Sequence, residues 1–455
     1  MTLSRAPLPH QLVARDFLAN GFRVGLFDDM GSGKTASTIF AMDQAKLRRG
    51  VIVCPAAVRQ VWLGELKKFE ALPRRRARIA TSLDDLNLWL LGRVDLLIIS
   101  YEFATRQAGH ALKYLQRNGD LYDVLVLDEF HYLKSPDAQR TLRILGADCD
   151  GRGGWSRYAA QTWCLTGTPM ANDPTDCWTF LRFSGATGLT TTQFRNRYFD
   201  ASPTAFGARY SPKPETADTI RDMLAKVSLR RTKSEFWKDM PEFWLTDVRI
   251  DGDTDEIRRL IAQHPDLEEA IREAARTEGL SALHAPHIAT LRRLVGTAKA
   301  PPFASMLDER LKNGLEKAVV MAVSVDAINL LFDEFTARGH NPVKLYGETS
   351  PAQRKLAVET FQNDRKCRVF LGNVRAAGTG LTLTAASEIF MLEQSWSPAD
   401  NAQALMRVHR IGQTRNVTGT FVALANSIDE DVVDILAEKT AAIARIDPTA
   451  FAMTA

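Results

Sequence analysis

The stretch Val24-Gly25-Leu26-Phe27-Asp28-Asp29-Met30-Gly31-Ser32-Gly33-Lys34-Thr35 runs from an apolar segment into a glycine-rich turn. Beyond it, Lys34 to Leu47 places apolar residues at helical spacing. A buried strand, a turn with two glycines and a helix make a unit that grips phosphate. Gly31 and Gly33 lack side chains, so backbone N–H groups can close on phosphate oxygens. The positive end of the helix faces the same anion. Lys34 can reach the β- and γ-phosphates of ATP, and the Thr35 hydroxyl can ligate Mg²⁺. The general pattern has glycine five places before Gly33, where this chain has Asp28.

A second block, Val124-Leu125-Val126-Leu127-Asp128-Glu129-Phe130-His131, is an apolar strand that ends in two adjacent carboxylates. Ligands of parallel sheets bind at that end of a strand. Asp128 is suited to hold Mg²⁺, and Glu129 to orient and deprotonate an attacking water. A third block, Gln403-Ala404-Leu405-Met406-Arg407-Val408-His409-Arg410-Ile411-Gly412-Gln413, places Gln403, Arg407 and Arg410 on one face of an expected helix. Guanidiniums on one face suit the spread charge of a phosphoryl transition state. With the phosphate loop in one half of the chain and these arginines in the other, the catalytic set is expected to assemble when two lobes close.

The chain has 455 residues, enough for two or three domains. Its 45% apolar and 25% charged content is ordinary for a globular protein. A net charge of +4 says little, so local clusters matter more. Arg74-Arg75-Arg76 with Arg78, Arg230-Arg231 with Lys233, and Arg292-Arg293 each fit either a solvated face or phosphate contact. The five cysteines show neither metal-type spacing nor a disulfide ladder, which fits a reducing compartment. No apolar run reaches the length of a membrane span, and the N-terminus lacks the apolar core of a signal peptide. A soluble, intracellular protein is expected, in cytoplasm, nucleoid or nucleus.

Apolar runs alternate with amphipathic stretches twice over. Strands are expected at Val24–Phe27, Val51–Cys54, Leu96–Ile99, Val124–Leu127 and Thr162–Leu165. A second set falls at Ala318–Val323, Val343–Tyr346, Arg368–Leu371, Ile389–Leu392 and Val417–Val422. The alternation argues for parallel sheets wrapped by helices. Asp253 to Leu294 reads as helical throughout. The expected plan is α/β: an ATP-binding lobe over 1–235, a helical protrusion over 236–300 and a second lobe over 301–455.

At this point the chain resembles a Swi/Snf-type motor of helicase superfamily two, nearly end to end. The resemblance implies two RecA-like lobes and ATP hydrolysis coupled to movement along double-stranded DNA. Leu8-Pro9-His10-Gln11 is similar to the adenine-reading segment, which implies nucleotide contact by His10 and Gln11. Asp28 to Thr35 resembles the family's phosphate loop, which also carries acids there; Met30, Gly31, Ser32, Gly33, Lys34 and Thr35 are its nucleotide-binding residues. Val53-Cys54-Pro55 through Trp62 and Ile99-Ser100-Tyr101-Glu102 resemble blocks associated with one DNA strand, implicating Pro55, Ser100 and Tyr101. Leu165-Thr166-Gly167-Thr168-Pro169 matches the block that couples hydrolysis to DNA, through Thr166, Gly167 and Thr168. Leu229-Arg230-Arg231-Thr232-Lys233 is a further family hallmark. Ala377 to Thr384 follows in order, implying a coupling role for Thr379 and nucleotide contact by Gly380, then Ser395-Trp396-Ser397-Pro398 and the arginine block. Phe130, Ser397 and Ala322-Val323-Ser324 depart from the common pattern without removing a catalytic group. Leu291 to Ala300 resembles the branch of annealing helicases and compact viral or bacterial members. A monomeric motor is expected; a strand-separating DNA or RNA helicase and an ATP-gated clamp on DNA remain alternatives.

Other residues read as packing. His284 and His287 have no cysteine or acid cluster beside them, and Phe236, Trp237, Phe243 and Trp244 read as an aromatic packing group. His131 and His409 fit either a relay or a plain hydrogen bond.

Overall fold

The computed structural model describes residues 6–69, 75–204, 207–237, 239–277, 285–377, 381–410 and 412–449. The chain divides into two units, one of residues 1–200 with 210–238 and one of residues 201–209 with 239–455.

The first unit is built on β1 (Arg23–Leu26), β2 (Gly50–Cys54), β3 (Ala77–Ile79), β4 (Leu96–Ser100), β5 (Tyr122–Asp128) and β6 (Ala159–Leu165). A separate two-stranded sheet pairs β7 (Phe199–Thr204) with β8 (Gly207–Pro212), and β9 (Ser228–Leu229) closes one edge of the main sheet. The main order is β3-β4-β2-β5-β6-β1-β9, with parallel pairing throughout. β2 and β4 are buried at every position, as continuous apolar runs must be when helices cover both faces of a sheet. One face packs Ile52, Cys54, Ile98, Val126 and Leu165 against Trp62 and Leu66 of the helix Arg59–Phe69. The order makes β5, β6 and β1 neighbours. Their C-terminal ends bring Asp128, Thr166 and the glycine-rich loop to one edge.

The second unit carries β10 (Phe243–Ile250), β11 (Ala318–Ala322), β12 (Val343–Leu345), β13 (Val369–Asn373), β14 (Glu388–Met391) and β15 (Val417–Leu424), in the order β10-β15-β14-β11-β13-β12. Two parallel-sheet α/β units in tandem are what the alternating pattern leads one to expect. No helix among the described residues is long and apolar enough to cross a membrane.

The middle of the chain differs from expectation in two ways. First, the segment expected as a helical protrusion over 236–300 contains β10. This strand pairs with β15 along its whole length, from Phe243 opposite Val417 to Ile250 opposite Leu424. Second, the helix Ala285–Lys312 runs through Pro301 and Pro302, across the expected boundary at 300. An interior proline costs a helix about 3 kcal/mol. Here Phe303, Leu307 and Leu311 lie fully buried in the core with Val320 and Leu371. At roughly 1.5–3 kcal/mol per buried side chain, their packing is of the same size as the cost of the two prolines and offsets it. The helices expected between Asp253 and Leu294 are present as Asp255–Gln263, Leu267–Thr277 and the start of Ala285–Lys312.

That long helix also carries an acid-sensitive contact. Asp308 accepts from Lys312 at 2.7 Å, meets His340 Nε2 at 2.7 Å and lies 3.4 Å from Arg338. Lys312 and His340 hold its carboxyl down to about 2. An aspartate in the unfolded chain titrates near 3.9, so this contribution is complete above about pH 4 and is lost as pH falls through 2. Asp308→Asn therefore lowers stability at pH 7 by roughly 1 kcal/mol, after discounting for solvent screening. Urea midpoints of the two proteins differ at pH 7 and converge as pH falls towards 2.

Candidate active site

The glycine-rich loop leaves β1 and enters the helix Lys34–Gln44. Gly31 and Gly33 both have φ of +83°, a left-handed conformation that side chains resist. A Cβ on Gly33 would lie 2.4 Å from Gln11 Nε2, so the segment expected to read adenine lies directly on the loop. His10 Nε2 is 2.8 Å from the Ser32 carbonyl oxygen. Lys34 Nζ donates to the carbonyl oxygens of Asp28 at 2.6 Å and Asp29 at 3.0 Å. Burial pushes this ammonium down, while Glu129, Asp28 and Asp29 hold it up. The Ser32 hydroxyl is buried without a hydrogen-bond partner. A left-handed glycine turn, an orphaned hydroxyl and an ammonium that donates to two carbonyls are what a nucleotide's phosphates would complete.

Asp28 does more here than mark a family branch. Arg231 Nε donates to its Oδ1 at 3.0 Å and Arg231 NH2 to its Oδ2 at 2.5 Å, while NH1 donates to the His10 carbonyl at 3.0 Å. The neighbouring Arg230 donates to the carbonyls of Phe27 at 2.5 Å and Gly167 at 3.1 Å, and sits 3.3 Å from Asp29. These arginines follow β9 and clamp the loop from behind. They are neither a solvated face nor a surface laid on phosphate. The other clusters are paired as well: Arg75 with Asp43, Arg76 with Asp95, Arg78 with Asp85 and Arg293 with Asp326, while Arg292 lies over the Trp396 ring. Arg74 lies outside the described residues.

β5 delivers Asp128. Burial and the charge of Glu129 push its carboxyl up to about 7, against the pull of a hydrogen bond from Trp62. A cation would hold such a carboxylate ionised, and Mg²⁺ would suit the role, with the Thr35 hydroxyl next to Lys34 in the chain as a second ligand. Among the described residues no three acids, histidines or cysteines gather as a metal cage. Mg²⁺ needs none, since it is held by one or two carboxylates with phosphates and water. Glu129 has φ of +56° and turns the chain away from the strand into Phe130–Leu133. Its Oε2 lies 3.4 Å from Thr166 Oγ1 and 3.4 Å from His131 Nδ1, which itself lies 3.0 Å from Thr166 Oγ1. Thr166 also accepts from the Thr168 N–H at 3.0 Å. A Cβ on Gly167 would lie 2.7 Å from Met30 Cγ and 3.6 Å from Lys34 Nζ. The block at the end of β6 thus touches both the acid pair and the phosphate loop.

Of the residues expected at a DNA strand, Pro55 and Ser100 are buried, and the Ser100 hydroxyl caps the helix Tyr101–Asn118 by accepting from Phe103 N–H. Tyr101 is buried too, with its hydroxyl on the Asp128 carbonyl at 2.8 Å. It faces the acid pair, so its ring cannot lie on a base. Thr379 and Gly380 lie outside the described residues, as does His284.

In the second unit Gln403 is buried in the helix Pro398–Leu405. Arg407 and Arg410 do not continue that helix, so the expected single helical face is not formed. The chain turns after Leu405, where the Leu383 N–H donates to the Arg407 carbonyl at 2.9 Å and Val408 enters the core. Arg407 is buried, and Arg410 Nε donates to the Met406 carbonyl at 3.3 Å. His409 packs on Phe243 and its Nε2 meets the Pro241 carbonyl at 2.8 Å, a structural bond.

The SNF2-related domain family matches residues 19–250 of this chain. The chain belongs to the SNF2-related family. The helicase conserved C-terminal domain matches residues 303–412. The chain is 26% identical over 435 residues to the SWI/SNF-related matrix-associated actin-dependent regulator of chromatin subfamily A-like protein 1 of Drosophila melanogaster, covering 94% of this chain and 54% of that protein. It is 26% identical over 418 residues to the Bos taurus DNA annealing helicase and endonuclease ZRANB3, covering 88% of this chain and 37% of that protein. It therefore spans about half the length, or less, of these relatives. A Sulfolobus solfataricus SWI2/SNF2 ATPase core solved in complex with dsDNA is similar at 22% identity and a TM-score of 0.44, over 98% of this chain and 94% of that one. The Swi/Snf-type resemblance and its leaning towards annealing helicases are both borne out.

Reading the SNF2-related blocks as a sequence leaves two site residues without a role. Arg231 is a hallmark in the chain but a loop clamp in the structure. Trp62 closes a block expected at DNA, yet it is fully buried and donates from Nε1 to Asp128 Oδ2 at 2.7 Å. Phe236 of the aromatic group stacks on His10 with centroids 4.4 Å apart, beside the adenine-reading segment.

Proposed function

We propose that this SNF2-related chain is an Mg²⁺-dependent ATPase that translocates along double-stranded DNA. The observation that carries the hydrolytic half is the convergence of Lys34, Asp128, Glu129 and Thr166 at the ends of three neighbouring strands. Bound Mg²⁺ would neutralise charge on the phosphates. Lys34 exchanges its two carbonyl partners for phosphate oxygens. Gln11 and His10 hold the base side of the nucleotide. Asp128 and Thr35 hold the metal. Glu129, steadied by Thr166 and His131, takes the proton of the attacking water. Gln403, Arg407 and Arg410 are assigned to nucleotide closure and transition-state charge.

Support for the DNA half comes from family membership, with backbone contact and little sequence reading expected. The motor is proposed to act as a monomer. Triplex displacement tests it: the chain with ATP strips a third strand from duplex DNA and leaves a forked duplex paired. Fork unwinding without triplex displacement would favour a strand-separating helicase. Closure on DNA with neither activity would favour a clamp.

A further inference from the structure

We propose that Trp62 and Tyr101 are positioning residues for Asp128, a pair of buried donors that fixes its carboxylate for Mg²⁺. This rests on the reading of Asp128 as the metal-holding carboxylate.

The sheet order β4-β2-β5 carries the geometry. The helix after β2, Arg59–Phe69, holds Trp62 in its first turn, and the helix after β4 begins at Tyr101. Both converge on the last residue of β5. Trp62 Nε1 donates to the side chain of Asp128 at 2.7 Å, and the Tyr101 hydroxyl donates to its carbonyl at 2.8 Å. The two rings are 0% and 1% exposed, so both donors lie inside the protein. Tyr101 is itself stacked on Tyr132, just past Glu129, with centroids 5.1 Å apart and planes 14° from parallel.

A buried indole N–H needs some acceptor, and a backbone carbonyl would have served. Here it takes one oxygen of the Asp128 carboxylate instead. The indole bond to Oδ2 fixes the orientation in which the carboxylate would meet the metal. Partners that orient a metal ligand in this way typically change metal affinity 10–100-fold when removed. Trp62 and Tyr101 lie in blocks that sequence reading places on a DNA strand, but their polar atoms end on the acid pair.

The test is a Mg²⁺ titration of the binding of a fluorescent, non-hydrolysable ATP analogue to the full chain. Wild type should show Mg²⁺-dependent binding; Mg²⁺-independent binding would overturn the reading of Asp128 itself. Trp62→Phe keeps an aromatic ring and loses the N–H. It should raise the half-saturating Mg²⁺ concentration about tenfold or more. Its binding in EDTA should stay near wild type. Tyr101→Phe keeps the stack on Tyr132 and should raise the Mg²⁺ requirement less, in the same direction. If Trp62→Phe fails to fold, Tyr101→Phe decides. An unchanged Mg²⁺ requirement in the folded variants overturns the proposal.

Discussion

Glu129→Gln leaves nucleotide binding intact and lowers ATP turnover by roughly 10²–10⁴-fold, the range that a positioned general base contributes. The glutamine fills the same space and can keep the contact to Thr166 Oγ1, which lies 3.4 Å from Oε2 in wild type. It cannot accept the water's proton. Steady-state phosphate release gives the rate, and filter binding of ATP shows that the site survives. The large expected effect follows from the left-handed turn at Glu129, φ +56°, a conformation that costs a non-glycine residue of order 1–3 kcal/mol. A loop with no task for that side chain would gain stability from an asparagine or glycine there. Turnover within a few fold of wild type would remove Glu129 from the mechanism.

Arg231→Ala destabilises the first unit by about 3–5 kcal/mol, the usual cost of stripping the partner from a buried charge. Asp28 is 1% exposed and meets Arg231 through two parallel hydrogen bonds. Without the guanidinium, the carboxylate stays in the protein interior unpaired. ATP affinity falls as well, because the same arginine ties the His10 backbone to the loop at 3.0 Å. Arg231→Lys keeps the charge but loses the two-pronged geometry, so it falls between wild type and alanine. Adding Asp28→Asn to Arg231→Ala recovers part of the loss by removing the stranded charge. Urea unfolding of the four proteins separates these cases. An alanine variant as stable as wild type would mean that the pair contributes nothing.

The sequence made the sheets legible because their central strands are buried on both faces and so read as unbroken apolar runs. The glycine-rich loop and the Asp128-Glu129 pair were equally plain, since each is a short local pattern on a strand end. β10 was hidden for the opposite reason. Phe243-Trp244-Leu245-Thr246-Asp247-Val248-Arg249-Ile250 lies at a sheet edge with mixed burial, and its aromatics suggested packing in a helical segment. The end of the helix at Leu405 was also invisible. Ala, Leu, Met and Arg all favour helix, whereas beyond Leu405 the Arg407 carbonyl accepts from the distant Leu383 N–H instead of from its own helix. Arg231 with Asp28, and Trp62 with Asp128, are 203 and 66 residues apart, so no spacing rule could join them. The family resemblance found Arg231 and Trp62 without pairing either with its carboxylate.

The most direct test of the central claim is steady-state ATP hydrolysis by the purified chain with duplex DNA, single-stranded DNA, forked DNA or RNA, each with and without Mg²⁺. The account predicts multiple turnovers that require Mg²⁺ and rise most strongly with duplex DNA. Hydrolysis that no nucleic acid stimulates, or that RNA stimulates more than duplex DNA, would contradict it.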